Sequence, residues 1–427
     1  MSLMTGSFAA LGQRNYRLFW IGSTLATTAF MMSFMLVPSV AFEITGSNAA
    51  AGLAQMGSGI GMLFVSPIGG VIADRMRKKP LVFAGQAIPA AVILTTGILV
   101  LTDVITVPML TIATLIMGLG FAFMGPARTA WVGELVEREL FPNAVALQQI
   151  AQNVSQVAAP ALIALLVGTV LPVGGAYLFM ASLFAIVLPI TAWLPNTKRP
   201  SGQVRSVRSE LAAGLGYVWR QGRLRILWLG FIGIVVCGFA FQTLLPGLLS
   251  EELGRDPTEI GMVFLALAVA GLVTTVPLAG VVRTRYAWPV LVVAGFTMSA
   301  GFLLLAGAPT YLAAIAAGVP LGIGRSAFML VDNALLLSNA EPAFHGRVMS
   351  LAMMGFGSQA LLAPVWGALA DAFGVRATLL AVGLAAAAVT TLLALGWLGA
   401  RRTERDELGA PPPGARPVDA EPSPAGA

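Results

Sequence analysis

The sequence predicts an all-α membrane protein with twelve transmembrane helices in two pseudo-symmetric six-helix bundles. Three observations support this prediction: an apolar composition, a series of uncharged runs of membrane-spanning length, and an internal duplication. Hydrophobic residues make up 57% of the chain and charged residues 10%, whereas soluble domains are about 25% charged. A run of about 20 apolar residues is long enough to cross the hydrocarbon core of a bilayer as a helix.

Twelve such runs follow one another along the chain. Each is predicted to be a helix from its length and its lack or scarcity of charge, and the short alternating segments of a membrane β-barrel are not seen. The predicted spans are Leu18–Phe42, Ala51–Ala73, Leu81–Leu101, Val107–Ala127, Val145–Val167, Val173–Leu194, Ile226–Leu249, Ile260–Val282, Trp288–Leu305, Tyr311–Leu337, Val348–Ala370 and Ala377–Leu398.

The two halves of the chain repeat each other. The run from Arg17 to Gly22 (RLFWIG) matches the run from Arg225 to Gly230 (RILWLG) at an offset of 208 residues. Later matches fall at offsets of 210 and then 204. Offsets that drift by a few residues in loops indicate a diverged tandem repeat. Parallel repeats of this kind build transporters whose substrate site lies between the halves, near the middle of the membrane.

The spans and the polar stretches divide the chain into five segments. Residues 1–17 are a cytoplasmic N-terminus, 18–195 the first bundle, 196–225 a cytoplasmic connector, 226–398 the second bundle, and 399–427 a disordered cytoplasmic tail. Arginine and lysine concentrate in the loops on one side of the predicted helices, which is the cytoplasmic side by the positive-inside rule. Topology therefore explains the net charge of +6, and no nucleic-acid partner is expected.

Enzyme and cofactor motifs are absent from the sequence. No Gly-x4-Gly-Lys-Ser/Thr loop for ATP occurs. The run from Gly322 to Ala327 mimics a dinucleotide fingerprint, but it lies inside a span and no strand precedes it. His345 is the single histidine, so no histidine metal cluster exists. We expect no enzyme activity, no catalytic residue, no metal and no cofactor.

A burst of charge, Asp74-Arg75-Met76-Arg77-Lys78-Lys79, separates the second span from the third. The string from Gly70 to Lys79 resembles the signature loop of the major facilitator superfamily, Gly-x-Leu-Ala-Asp-Arg-x-Gly-Arg-Lys. Ile72 replaces the leucine, and Arg77 stands in place of the second glycine. The resemblance covers about residues 15–398.

Further strings resemble the bacterial enterobactin-exporter and macrolide-efflux-like branch of this superfamily. The resemblance implies a secondary active exporter of a drug-like or siderophore-like molecule. It would work by alternating access, as a monomer in the bacterial inner membrane with both termini cytoplasmic. An importer or facilitator of the same fold and a transport-dead membrane sensor or scaffold are the alternatives. The strings are Gly125-Pro-Ala-Arg128, Asn143-Ala-x-Ala-Leu147, Asn333-x-Leu-Leu, His345-Gly-Arg-Val-Met349 and Ala368-Leu-Ala-Asp371-Ala-Phe-Gly-Val-Arg376.

The superfamily is thought to use its signature loop to latch the two halves together on the cytoplasmic side. Asp74 would pair with Arg128 of the fourth span or face the positive N-terminal end of the eleventh. The alternative is that these charges only anchor the topology. The second copy has Thr284 in place of Asp74, so only the first loop is a candidate latch. The gating candidates are Gly70, Asp74, Arg75, Lys78, Lys79 and Arg128.

Ionisable residues are scarce within the spans. Burying one in lipid costs at least ~2.5–3.5 kcal/mol, so such residues tend to be functional. Arg325 and Asp332 lie on one face of the tenth span, roughly 10 Å apart along the axis at 1.5 Å per residue. Arg325 contacts either an anionic or oxygen-rich substrate or a structural partner. Asp332, which aligns with Arg128 in the repeat, is a substrate or coupling residue or part of a gating pair.

The fifth span carries a polar stripe at i, i+3, i+4 and i+7, formed by Gln149, Gln152, Asn153 and Gln156. This face either packs through interhelical hydrogen bonds or lines a hydrated cavity. Gln242 and Gln359 are weaker candidates of the same kind. The proton is the candidate coupling ion. However, the middle of the first helix, Ala26-Thr27-Thr28-Ala29-Phe30, lacks the acid that this branch often carries there.

Overall fold

The computed structural model describes residues 8–167, 170–196, 207–278, 286–341 and 344–409, without the side chains of residues 65–75 and of some other positions. Over these residues the chain is helical, and the predicted all-α class is confirmed. The first bundle contains α1 Arg14–Thr45, α2 Asn48–Arg75, α3 Lys78–Leu101, α4 Val107–Leu135, α5 Phe141–Leu166 and α6 Val173–Trp193. The connector contains α7 Val207–Arg220. The second bundle contains α8 Gly222–Gly238, α9 Ala240–Gly247, α10 Gly261–Leu278, α11 Ala287–Ala306, α12 Tyr311–Asn339, α13 His345–Phe373 and α14 Val375–Gly409.

A described helix lies over each of the twelve predicted spans. Within the described residues, eight helical stretches are both long and apolar enough to cross a membrane, and Val107–Phe121 and Gly261–Thr275 are shorter apolar stretches. The seventh span is one helical stretch, Gly222–Glu252, whose winding is not uniform. It is distorted at Phe239, between α8 and α9, and ends as the π-helical turn Leu248–Glu252.

The helix ends follow from the local sequence. Proline stands in the first turn of α4 and of α5, where its missing N–H is not needed. Thr310 caps α12 by accepting a hydrogen bond from the Ala313 N–H at 3.2 Å. Gly46 ends α1 with a φ of 65°, a left-handed conformation that favours glycine.

The helices of both bundles run between two ends of the molecule, which we name the connector end and the far end. The connector end carries the loop at Met76–Arg77, the 3-10 turn Arg138–Leu140 and α7. The far end carries Gly46–Ser47, the loop between α3 and α4, and Gly374. Close helix packing rests on small residues: a Cβ at Gly61 of α2 would lie 2.7 Å from the backbone of Gly118 in α4.

The structure adds a helix in the connector and extends the last helix beyond its predicted end. The connector contains the helix α7, which packs on the start of α13: the Tyr217 ring stacks on Phe344 with centroids 3.9 Å apart, and the Tyr217 hydroxyl accepts a hydrogen bond from the Glu341 N–H. At the other boundary, α14 runs to Gly409. The helix therefore continues into the segment predicted as a disordered tail, and residues 410–427 lie outside the description.

Candidate functional site

The two bundles meet along α2 and α13, which run antiparallel and share the most extensive contact between the halves. This contact extends from the far end, where Asn48 meets Gly367, to Leu63 and Gly357 in the middle of α2. At the far end α5 also packs on α10, with Gly261 against Ala164. The structure therefore has its two halves joined at the far end.

A hydrogen-bonded cluster closes the same end. The carboxylate of Asp371, in the last turn of α13, accepts hydrogen bonds from the Ser47 hydroxyl at 2.6 Å, the Asn48 N–H at 2.8 Å and the Ala49 N–H at 3.0 Å. The Asn48 side-chain amide donates to Glu251 Oε1 at 3.1 Å. An acid of the second half thus caps the first turn of a helix in the first half.

The polar stripe of α5 is only partly buried. Gln149 and Gln156 are exposed, and Gln152 and Asn153 are half-buried. The Gln149 amide donates to Asn153 Oδ1 at 3.3 Å within α5 itself. Interhelical packing would bury these amides, so the exposure of Gln149 and Gln156 does not fit that interpretation for these two residues. Hydration of the stripe stays a prediction.

Arg325 of α12 is partly exposed, and its guanidinium lies 4.4 Å from the centre of the Phe239 ring. A cation over an aromatic face at this distance is attracted by the ring quadrupole. Phe239 stands at the distortion between α8 and α9. The aromatic ring that Arg325 contacts therefore belongs to the residue that separates α8 from α9.

Asp332 of α12 is fully buried, and neither carboxylate oxygen has a hydrogen-bond partner among the described residues. Its repeat counterpart Arg128 donates to Thr27 Oγ1 at 3.1 Å and to Gln148 Oε1 at 3.4 Å. At the repeat offsets of 208 and 204, these two partners correspond to Val235 and Ala352, both apolar and buried. The second half thus has a buried acid, Asp332, but apolar residues at the positions where the first half has the hydrogen-bond partners of Arg128.

The basic residues that begin α3 are bound within the first half. Lys78 pairs with Glu134 of α4, and Lys79 donates to the carbonyl of Ala192 at 2.8 Å, near the end of α6. Contacts within one half are what is expected of residues that anchor the loop to its own bundle. Gly70, Asp74 and Arg75 lie in the last turns of α2. The side chains of Asp74 and Arg75 are not among those described, so the predicted contact of Asp74 with Arg128 falls outside the description.

Further amides lie where α9 and α13 meet the first half. Gln242 is buried, and its Oε1 has no partner among the described groups. The neighbouring Thr243 hydroxyl donates to Gln55 of α2 at 3.1 Å, a further hydrogen bond between the two halves, two turns from the start of α2. Gln359 of α13 is also buried.

A small apolar pocket, the aromatic pocket, lies inside the first bundle between α1, α3, α4 and α6. The Phe30 ring stacks on Phe121 with centroids 4.9 Å apart, and Phe184 and Met124 complete one wall. Flat aromatic surfaces and a flexible thioether suit apolar or planar groups.

Two parts of this site were not predicted from the sequence. The far-end cluster joins Ser47, Asn48, Glu251 and Asp371, which lie up to 324 residues apart in the chain. Only Asp371 belonged to a string typical of the branch. The aromatic pocket joins residues from four helices, which no local pattern in the sequence brings together.

Comparison with known proteins agrees with this architecture. The sequence model described as Major Facilitator Superfamily matches residues 19–358. The multidrug efflux pump Tap of Mycolicibacterium fortuitum is 21% identical over 366 residues, covering 83% of this chain and 88% of that protein. The multidrug resistance protein MdtH of Cronobacter sakazakii is 26% identical over 262 residues, but the match spans only 58% of each chain.

Solved structures share the fold at low identity. The peptide transporter POT superposes with a TM-score of 0.74 at 13% identity, covering 92% of this chain and 95% of that one. The nucleoside transporter NupG gives a TM-score of 0.71 at 13% identity, covering 90% and 99%. The predicted arrangement of two six-helix bundles is thereby confirmed as a fold.

Proposed function

Since the chain belongs to the Major Facilitator Superfamily and is thus a multi-pass secondary transporter rather than an enzyme, we propose that it exports a small organic molecule by alternating access. The observation that carries this proposal is the similarity to a multidrug efflux pump over 83% of the chain. The apolar side chains around Phe30 and Phe121 have the chemistry to contact an apolar group of the cargo. The enterobactin-exporter branch remains a proposal that rests on the sequence strings alone.

The proposed route runs between the bundles. With the far end closed, cargo enters from the connector end, which the basic loops place in the cytoplasm. The stripe of α5 is proposed to line the hydrated entrance. Gln242 and Gln359, which are buried, are proposed to lie further along the route. Arg325, held on Phe239, is the candidate contact for an anionic or oxygen-rich group of the cargo. The protein is proposed to act as a monomer in the bacterial inner membrane, where a reporter fused to the C-terminus should be cytoplasmic.

Asp332 is the candidate site for a coupling proton. A carboxylate without a partner in an apolar interior strongly favours its neutral, protonated form. Such a group binds a proton when it is buried and releases it when water reaches it. Asp332 is therefore proposed to take the role of the acid that the first helix lacks. The signature loop with Gly70, Asp74 and Arg75 remains the candidate latch of the connector end, and Lys78 and Lys79 are assigned to anchoring.

The function is tested by the accumulation of a labelled compound panel in cells with and without the protein. The panel spans lipophilic cations, neutral aromatics and anionic catecholates. Export predicts lower accumulation of at least one compound in expressing cells, and a protonophore should abolish the difference. Higher accumulation would indicate an importer, and equal accumulation of every compound would contradict the proposal.

A further inference from the structure

Asp371 of the second half caps α2 of the first half, and this contact has no counterpart in the repeated sequence of the first half. Three donors at the start of α2, namely the Ser47 hydroxyl and the N–H groups of Asn48 and Ala49, point at one carboxylate that belongs to α13. The first N–H groups of a helix have no partner within it. A carboxylate at this position also interacts favourably with the positive end of the helix dipole.

The contact is tied to a closed far end. Asn48 lies in a cleft between two glycines of the second half: a Cβ at Gly247 would lie 2.8 Å from the Asn48 Cγ, and one at Gly367 would lie 2.5 Å from its carbonyl carbon. The Asn48 amide simultaneously reaches Glu251. Separation of the halves at this end breaks all of these contacts together.

Among the described residues, the other pair of helices at the far end, α5 and α10, shows no such acid. The repeat offset of 204 places Val167, just after the end of α5, where α13 has Asp371. The chain entering α10 is held locally instead, because Asp256 accepts the N–H of Thr258 at 2.8 Å within its own half. Within the part of the chain that the structure describes, the carboxylate that caps a helix of the opposite half thus belongs to the α2–α13 pair.

We infer that Asp371 is a conformational latch of the far end, which holds the transporter closed on that side by capping α2 of the opposite half. The inference rests on the proposed alternating-access cycle, in which this end must open to release cargo. Because α2 and α13 run antiparallel, the end of α13 lies beside the start of α2. Asp74, one residue before the end of α2, holds the matching position at the connector end.

The latch is tested by double electron–electron resonance on the full chain in lipid nanodiscs. Cys237→Ala removes the single cysteine, and Val104→Cys and Leu312→Cys place spin labels on exposed far-end positions of the two halves. The parent should show mainly the short, closed distance. Asp371→Ala should lower the closed-to-open ratio about tenfold, which corresponds to 1.4 kcal/mol, and Ser47→Ala should shift it in the same direction by less.

Glu252→Gln is the matched control. It removes the ion pair between Glu252 and Arg376 at the same end, whose nitrogen and oxygen lie 2.6 Å apart, but both residues belong to the second half. Its distance distribution should equal that of the parent. The latch is refuted if Asp371→Ala and Ser47→Ala leave the distances unchanged, if the parent is already open, or if Glu252→Gln opens the far end equally. The measurement uses no cargo, so failure of the export assay would leave its outcome intact.

Discussion

Gly52 lies where α2 presses against α13 near the far end. A Cβ at this position would lie 2.7 Å from Pro364 Cα and closer still to the Ala363 carbonyl oxygen. Ordinary contacts begin near 3.4 Å, so Gly52→Ala must move the two backbones apart by about 1 Å. Overpacking of this kind costs ~1–3 kcal/mol. Because the strain exists only while the halves touch, it should shift the equilibrium roughly 5- to 150-fold toward the far-open state.

The shift can be read as the alkylation rate of a buried thiol. Thr243, which is 1% exposed at the interface of the halves, is replaced by cysteine in the Cys237→Ala background. Its reaction with a polar maleimide follows the open fraction when opening and closing are fast. Gly52→Ala should therefore raise this rate by at least about fivefold, the lower bound that follows from the packing cost.

Gly61→Ala is the matched comparison in the same helix. Its Cβ would meet the Gly118 backbone at 2.7 Å, but this contact lies within the first half. It should lower the temperature of thermal unfolding and leave the alkylation rate unchanged. An unchanged rate in Gly52→Ala, or an equal rise in Gly61→Ala, would show that close packing at Gly52 does not hold the far end shut.

Three further predictions concern charged residues. Arg325→Met should abolish export of an anionic cargo at normal protein levels, and Arg325→Lys should retain part of the export because it keeps the charge. Full export by the Met variant would exclude a role for the charge. Asp332→Asn should remove proton-driven accumulation in proteoliposomes but keep exchange of cargo between the two sides, whereas intact proton-driven transport would exclude coupling at Asp332. Asp74→Asn should leave the protein in the membrane and change cysteine accessibility at the two ends; unchanged accessibility with full transport would leave Asp74 a topology anchor.

The helices were predictable because length and lack of charge identify a membrane-spanning segment without knowledge of its neighbours. The same local reasoning identified Arg325 and Asp332, since charges in apolar runs stand out. It did not reveal α7, whose stretch from Val207 to Arg220 mixes charged and apolar residues and is stabilised by packing on α13. Nor did it reveal the distortion at Phe239, because nothing near this residue forbids a helix.

Side-chain partners across the halves were beyond local reasoning for a different reason. The bonds of Asp371 to Ser47 and Asn48 depend on the relative placement of α2 and α13, which no spacing in the sequence encodes. Arg128 illustrates the same point. The repeat identified Arg128 as the equivalent of Asp332, but the bonds of Arg128 to Thr27 and Gln148 come from the packing of three helices.

Phe239 marks a local difference between the duplicated first helices of the two halves. α1 is one helix of 32 residues with Pro38 inside it, whereas its duplicate changes its winding at Phe239 and again at Leu248–Glu252. A proline inside a helix and a change of winding are both places where helices bend. The Arg325 guanidinium lies over the Phe239 ring, so any bending of the seventh span at this residue would move the aromatic face that the cation contacts.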